Sequence, residues 1–138
     1  MQLIVDMKNG MTHGVGFKAA NTAANANGTG VDFQNADVRT HMVVTRGAIT
    51  NTGNIAIKAQ ESDDNTTFTD VADTGANTGN DNSTNSVVVC SFLRTKRYLR
   101  AVFVLGTAGD AAIIGATFHS QKKYEGSNNA GYSIAPQV

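Results

Sequence analysis

Residues 54–72, NIAIKAQESDDNTTFTDVA, decide the fold of this protein because they predict a β-hairpin. Ile55 and Ile57 fall on one side of an extended chain and their neighbours on the other, a period of two that is typical of a half-buried strand. Residues 62–65, SDDN, carry short polar side chains that bond to their own backbone and favour a tight turn. Residues 66–71 then return to β-favouring types. The segment therefore predicts two short strands joined by a polar turn.

The chain on either side of this hairpin also predicts strands that are separated by turn residues. The regular part begins at residues 31–34, and strands are predicted at 38–45, 87–93, 98–105 and 111–118. Residues 87–93, VVVCSFL, are apolar on both faces, which predicts a strand buried on both sides. Together these segments predict an all-β protein, a single antiparallel β-sandwich. We predict a jelly-roll-like sandwich, with an immunoglobulin-like sandwich as the alternative, since strand patterns do not distinguish the two topologies.

The two ends of the chain predict extended arms around this core. Residues 1–30 are rich in Gly, Asn, Ala and Thr, and no apolar stripe develops that would hold a helix against the core. Residues 121–138 are polar, and their few large side chains are widely spaced. We therefore predict one domain with an N-terminal arm over 1–30, a sandwich core over 31–120 and a C-terminal arm over 121–138.

The composition argues against several classes of function. The chain has 138 residues with 11 Lys and Arg against 11 Asp and Glu, so no net field attracts it to nucleic acid or to an anionic membrane. Charged residues make up only 16% of the chain, below the usual level of about 25%. A single Cys90 excludes an internal disulfide and any zinc site built from several cysteines. The first residues lack the pattern of a signal peptide, so we expect synthesis and folding in the cytoplasm.

Four acidic residues of the hairpin are candidate ligands for a calcium ion. Glu61, Asp63, Asp64 and Asp70 offer carboxylates, but their spacing does not match a calcium-binding loop. A solvated turn explains them better, and we predict no metal site there.

The remaining chemistry-bearing residues do not form a recognisable catalytic or cofactor motif. His13, His41 and His119 lie far apart in the sequence, without the spacing of a zinc site. No Gly-x-Ser-x-Gly segment presents a nucleophile, and Gly14-Val15-Gly16 is only a fragment of a dinucleotide-binding loop. We therefore predict no catalytic residues, no cofactor and no small-molecule substrate.

The sharpest charge feature is a basic segment over residues 94–100. It is either a solvated connection between strands or a contact with acidic groups on a neighbouring subunit. With three large side chains of the C-terminal tail, its cations are the candidate subunit-contact residues: Arg94, Lys96, Arg97, Arg100, Tyr124, Tyr132 and Ile134.

Two segments carry a resemblance to a known group of proteins. Residues 60–71, QESDDNTTFTDV, and 95–102, TKRYLRAV, resemble small virion proteins of tailed bacteriophages, which include capsid decoration or cement proteins with jelly-roll-like sandwiches. The likeness covers about residues 31–120. It implies a place on the capsid exterior, with the major capsid protein and copies of the same chain, as a homo-dimer or homo-trimer, as partners. The alternative is a tail or fibre sandwich that binds carbohydrate or a host receptor, although the chain has no Trp and only three Tyr for stacking on sugars.

Overall fold

The computed structural model describes residues 10–22, 24–50, 55–72, 74, 85–105 and 111–122. Within these ranges the chain forms nine β-strands, three of which are only two residues long. In chain order they are β1 (Met11–Thr22), β2 (Ala26–Asn27), β3 (Val31–Asp32), β4 (Ala36–Thr50), β5 (Ile55–Ser62), β6 (Thr69–Asp70), β7 (Ser86–Leu93), β8 (Tyr98–Leu105) and β9 (Ala111–Lys122).

The strands form two antiparallel sheets that pack face to face. Sheet A has the order β1-β9-β4-β7, and sheet B has the order β2-β8-β5-β6, with β3 also paired to β8. The all-β antiparallel sandwich predicted from the sequence is therefore confirmed. The pairs are nested around the turn at residues 63–68: β5 pairs with β6, β4 with β7, β2 and β3 with β8, and β1 with β9.

The core lies between the two sheets and is built from alternate residues of their facing strands. Sheet A contributes Met42 and Phe118, and sheet B contributes Leu99 and Phe103, all fully buried. The ring of Phe118 stands edge-on to the ring of Phe33, with 6.2 Å between the centroids. Each such side chain stabilises the fold by about 1.5–3 kcal/mol relative to an exposed position.

The predicted hairpin is present, and its second strand is short. Gln60 pairs with Asp70 and Glu61 with Thr69. The longer partner of β5 is β8, which pairs with all eight β5 residues. The turn contains Asn65 with a φ of 60°, a left-handed conformation that Asn tolerates better than most residues. The β5–β6 hairpin is therefore a short part of sheet B, in which β5 pairs mainly with β8.

The N-terminal arm was predicted wrongly at residues 11–22 and 26–27, which are strands of the sandwich. Strand β1 runs along β9, and Phe17 is 7% exposed within the core. The register shifts twice in this strand, which hides the period of two from the sequence. A Cβ at Gly16 would lie 2.2 Å from the ring of Phe118, so glycine there permits the close approach. Residues 1–9 lie outside the described part of the chain. At the other end β9 continues to Lys122, and 123–138 are likewise outside it.

The prediction that residues 87–93 are buried on both sides is also wrong. Strand β7 is at the edge of sheet A, and only one of its faces meets the core. Val87 is 63% exposed, and Val89 and Leu93 are each 59% exposed. An apolar run in the sequence does not distinguish a strand buried between two layers from one whose outer face is open.

Candidate interaction surfaces

The first residue of the basic segment, Arg94, is buried. It is 8% exposed, and its guanidinium donates hydrogen bonds to the main-chain carbonyls of Phe33 at 2.7 Å, Lys96 at 2.8 Å and Asp37 at 3.2 Å, and to that of Ala36. Loss of hydration on burial lowers its pKa, and nearby carboxylates oppose that effect. The prediction of a subunit contact for Arg94 is therefore corrected, because its donors join the β3–β4 connection to the start of the β7–β8 loop.

Arg97 lies at the surface in an ion pair. Its Nε and Nη2 reach the two carboxylate oxygens of Asp32 at 3.0 and 2.6 Å, a two-point contact. The hydrogen bond from Arg97 lowers the pKa of Asp32, and the Gln34 N–H adds to this. The guanidinium also lies 4.9 Å from the ring centroid of Tyr98. Arg97 thus remains exposed but already has an acidic partner within the chain.

The other two cations of the segment cross the β5–β6 hairpin. Arg100 donates from Nε and Nη2 to Gln60 Oε1 at 2.9 and 2.7 Å, and its guanidinium lies 4.1 Å from the ring centroid of Phe68. The Nζ of Lys96 is 3.1 Å from Thr69 Oγ1. These contacts brace sheet B. Tyr124, Tyr132 and Ile134, which complete the candidate contact set, lie outside the described residues.

The acidic residues of the hairpin have separate partners. Glu61 accepts hydrogen bonds from the N–H and the hydroxyl of Thr95 at 2.8 and 2.6 Å. Asp70 pairs with Lys58 at 2.7 Å, and this hydrogen bond lowers the pKa of Asp70. Within the described part of the chain, no group of three or more His, Cys, Asp or Glu side chains is arranged to hold a metal ion.

Asp64 organises the turn. Its Oδ1 accepts the N–H groups of Thr67 at 2.7 Å and Thr66 at 2.8 Å, and also the hydroxyl of Ser62 at 2.8 Å. These bonds, the Thr67 N–H first, lower the pKa of Asp64 to about 2. The acidic cluster is therefore a hydrogen-bonded turn, with Asp63 exposed beside it.

The three histidines form a row across sheet A, which the sequence did not reveal. Strand pairing places His13 opposite His119, His119 opposite His41, and His41 opposite Ser91. The Nδ1 atoms of His13 and His119 are 2.7 Å apart, and His41 Nδ1 is 2.7 Å from the hydroxyl of Ser91. Burial, and then the charges of the two neighbouring histidines, lower the pKa of His119. The neutral form of His119 is therefore favoured in the folded protein.

Exposed apolar side chains are concentrated on sheet A. Six large hydrophobic residues of the described chain are between 48% and 63% exposed, and every one belongs to a strand of this sheet. On the neighbouring strands β1, β9, β4 and β7, the register places Val15, Thr117, Val43 and Val89 in one row beside the histidine row. The exposed residues are Val15, Val38, Val87, Val89, Leu93 and Ile113. Val38 is exposed at the end of β4 on the opposite side of the sheet, beside Arg94. We call the outward surface that the other five residues share the apolar face of sheet A.

Sequence reasoning missed this face because its members come from several strands that lie far apart in the sequence. Val15 and His13 lie in a segment that had been predicted as an arm, and Val89 in a strand that had been predicted as fully buried. The available signal was the run Val-Val-Val at residues 87–89. Because side chains alternate between the two faces of a strand, such a run places valine on the outer face as well as on the buried one.

Comparisons with known proteins add no family to this description. The sequence matches no protein-family model, and it matches no curated protein. Within the described residues, no helix has the length and hydrophobicity that crossing a membrane requires. We therefore infer function from the surfaces themselves and from the resemblance of residues 60–71 and 95–102.

Proposed function

We propose that this protein is a structural virion protein of a tailed bacteriophage, a capsid decoration or cement protein that binds the outside of the head. In this role it stabilises contacts between major capsid subunits, and it acts through protein contacts, not as an enzyme. The observation that carries the proposal is the apolar face of sheet A, because a face of this kind on a stable sandwich marks a contact with another protein.

The contrast between the two sheets indicates which side of the protein faces the capsid. The exposed side of sheet B is hydrogen-bonded and charged, with Lys58 paired to Asp70 and Arg100 bonded to Gln60. Sheet A instead presents valines, and on it His13 bonds to His119 and His41 to Ser91. A decoration protein needs one side that binds the shell and one that faces water. We therefore assign sheet A to the capsid and sheet B to solvent.

The two segments that carry the phage resemblance are neighbours in space, which supports treating them as one structural unit. Residues 60–71 form the β5–β6 hairpin, and 95–102 form the loop and first half of β8 beside it. Glu61 bonds to Thr95, and Arg100 bonds to Gln60. Two segments that resembled the phage proteins only by chance would have no reason to be in contact in the structure. Their contact therefore supports the proposed phage role.

The strand order supports the jelly-roll-like form of the sandwich over the immunoglobulin-like one. The strands pair first with last, from β1 with β9 inward to β5 with β6, and, except for β5 and β6, neighbouring strands in each sheet are far apart in the chain. A single antiparallel ribbon that is wound around the core produces this order, and two such Greek keys make a jelly roll. Many viral structural proteins use this architecture.

The proposed mechanism is the addition of many modest contacts on a symmetric shell. Each copy buries apolar area from sheet A against more than one capsid subunit, so that separating two subunits also breaks its contacts. The major capsid protein and further copies of this chain are the proposed partners, since a symmetric lattice favours dimers or trimers at its axes. The tail over residues 123–138, with Tyr124, Tyr132 and Ile134, stays a predicted additional contact.

The test is to add the purified protein to mature heads that lack it. Co-sedimentation measures binding, and the temperature at which the heads release DNA measures stabilisation. We expect saturable binding and heads that survive to a higher temperature. Val15→Lys places a charge on the apolar face and should weaken binding at least about tenfold, since a buried, unpaired charge costs more than the corresponding 1.4 kcal/mol.

A matched control separates the face from a general effect of charge. Asn27→Lys adds the same charge at an exposed position of sheet B, and we expect it to bind heads as the unmodified protein does. Equal binding by the Val15 variant would refute the assignment of sheet A, and failure of the unmodified protein to bind any head would refute the decoration role.

A tail or fibre module that binds carbohydrate is the other hypothesis from the sequence. Such sites stack sugar rings on open aromatic faces. At the basic loop the ring of Tyr98 has Arg97 over it, and the ring of Phe68 has Arg100 over it. These contacts do not favour the carbohydrate hypothesis, and a glycan array is the direct measurement for it.

A further inference from the structure

The four edges of the two sheets differ in how they are protected from pairing with another strand. Sheet B ends in strands of two residues, β6 on one side and β2 and β3 on the other. In sheet A, the edge strand β1 has two register shifts. Short strands and bulges are the usual means by which proteins prevent strand addition at an edge.

The fourth edge, β7, has none of these features. Its eight residues, SVVVCSFL, pair with β4 without a register shift and include no proline and no charged residue. Among the strands that the structure describes, β4 is its one neighbour in the sheet. A long, regular, apolar edge of this kind is a template for a further strand.

The direction of the β7 backbone groups follows from one hydrogen bond. The Arg94 N–H donates to the Val38 carbonyl at 2.9 Å, in the same register that pairs Leu93 with Arg39. In an antiparallel pair, alternate residues direct their N–H and C=O to the same neighbour. The even-numbered residues therefore face β4. The odd-numbered ones direct their backbone groups to the open side: Val87, Val89, Ser91 and Leu93.

This edge is complementary to a second copy of itself. A two-fold axis at residue 90 pairs Val87 with Leu93 and Val89 with Ser91 of the other copy, which uses all four residues and makes about eight main-chain hydrogen bonds. On the core side the same register places Val88 opposite Phe92, a β-branched and aromatic pair of the kind that stabilises sheets. An axis at residue 89 would leave Leu93 without a strand partner. Because the strand carries no charge, two copies do not repel each other.

We propose that this chain forms a homodimer by antiparallel pairing of β7 with β7 across a two-fold axis at residue 90. The two copies of sheet A then form one continuous eight-stranded sheet. The pairing occupies the one edge of each copy that is open among the described strands, so the assembly closes at two subunits and not three. The two apolar faces lie side by side in the dimer, which doubles the surface that is offered to a shell.

This inference deepens the proposed function by naming the surface for self-association, and it rests on the homo-oligomer part of that proposal alone. Its test uses no phage heads, so a failure here and a failure of head binding are distinguishable. Light scattering on the full chain after size exclusion, over about a hundredfold range of concentration, measures the mass. We expect a dimer of two 14.4 kDa chains that dissociates on dilution.

The decisive variant is Val89→Lys, which places a lysine on the open edge, as many natural edge strands do. We expect its dimer dissociation constant to rise at least about tenfold, with the circular dichroism spectrum and melting cooperativity retained because Val89 is 59% exposed. Val87→Lys, at the end of the same edge, should act in the same direction. Val15→Lys is the matched control, since Val15 is 56% exposed on the far strand of the same sheet, and its dimer should be unchanged.

The register has a separate test in a Cys90→Ala background. One chain carries Val87→Cys and another Leu93→Cys, and a short bismaleimide is added to each alone and to a mixture. The proposed pairing places these two positions opposite each other, so cross-linked dimers should appear in the mixture and not with either chain alone. A monomer at every concentration would overturn the proposal. So would a dimer that Val15→Lys weakens while Val89→Lys does not, because that result indicates packing through the sheet faces.

Discussion

Replacing Arg94 by methionine will lower the free energy of unfolding by about 3 kcal/mol. The change keeps the aliphatic stem of the side chain but removes every hydrogen bond of the guanidinium. The carbonyls of Phe33 and Ala36 are in buried contacts with Nη2. Both lose this charged donor, and Phe33 keeps only the Ala36 N–H at 3.0 Å. A buried acceptor without a partner costs about 1–3 kcal/mol. The carbonyls of Asp37 and Lys96 are closer to solvent, so water replaces part of what they lose.

Urea unfolding followed by far-ultraviolet circular dichroism measures this loss as a shift of the midpoint at constant slope. The urea midpoint of Arg94→Lys should lie between those of Arg94→Met and the unmodified protein, because an ammonium group reaches fewer of the carbonyls than a planar guanidinium does. The matched control is Arg97→Met in the same loop, whose exposed ion pair with Asp32 is screened by solvent and should contribute little. If Arg94→Met unfolds within about 0.5 kcal/mol of the unmodified protein, the bracing role of Arg94 is refuted.

Two further predictions test the packing and the histidine row. Gly28→Ala would place a Cβ 1.7 Å from the carbonyl oxygen of Gly16 and 2.8 Å from that of Ala101, and main-chain atoms cannot move aside cheaply. We expect the free energy of unfolding to fall by about 3 kcal/mol or more in the same urea assay. An unchanged midpoint would contradict the close approach of these segments. The pKa of His119 is lowered from 6.5 in the folded state, so the unfolded chain binds the proton more readily, and the free energy of unfolding should fall as the pH drops below about 6.5. Melting temperatures measured between pH 5 and 8 should show this fall, and His119→Gln should make it shallower. If the melting temperature of that variant depends on pH as steeply as that of the unmodified protein, other groups cause the fall.

The surfaces that matter for function were only partly predictable. The basic segment was identified correctly as a cluster of charges, but its roles differ: Arg94 is buried, whereas Arg97 is exposed and paired. The spacing of the cations in the sequence does not predict which of them donates to main-chain carbonyls of the β3–β4 connection. The histidine row was invisible for the same reason, because His13 and His119 are 106 residues apart and meet only through the pairing of β1 with β9.

The sequence by itself determined the features whose physical cause is local. The alternation at Ile55 and Ile57 and the turn chemistry around Asp64 specify a strand and a reversal of the chain, because a period of two and short polar side chains act over a few residues. That turn is also the point around which all the strands pair. The tertiary structure decided which strands are neighbours, which face of each is open, and that β7 is left at an edge. Those features depend on pairings between distant segments, and a bulged strand such as β1 acquires its regularity only from the strand beside it.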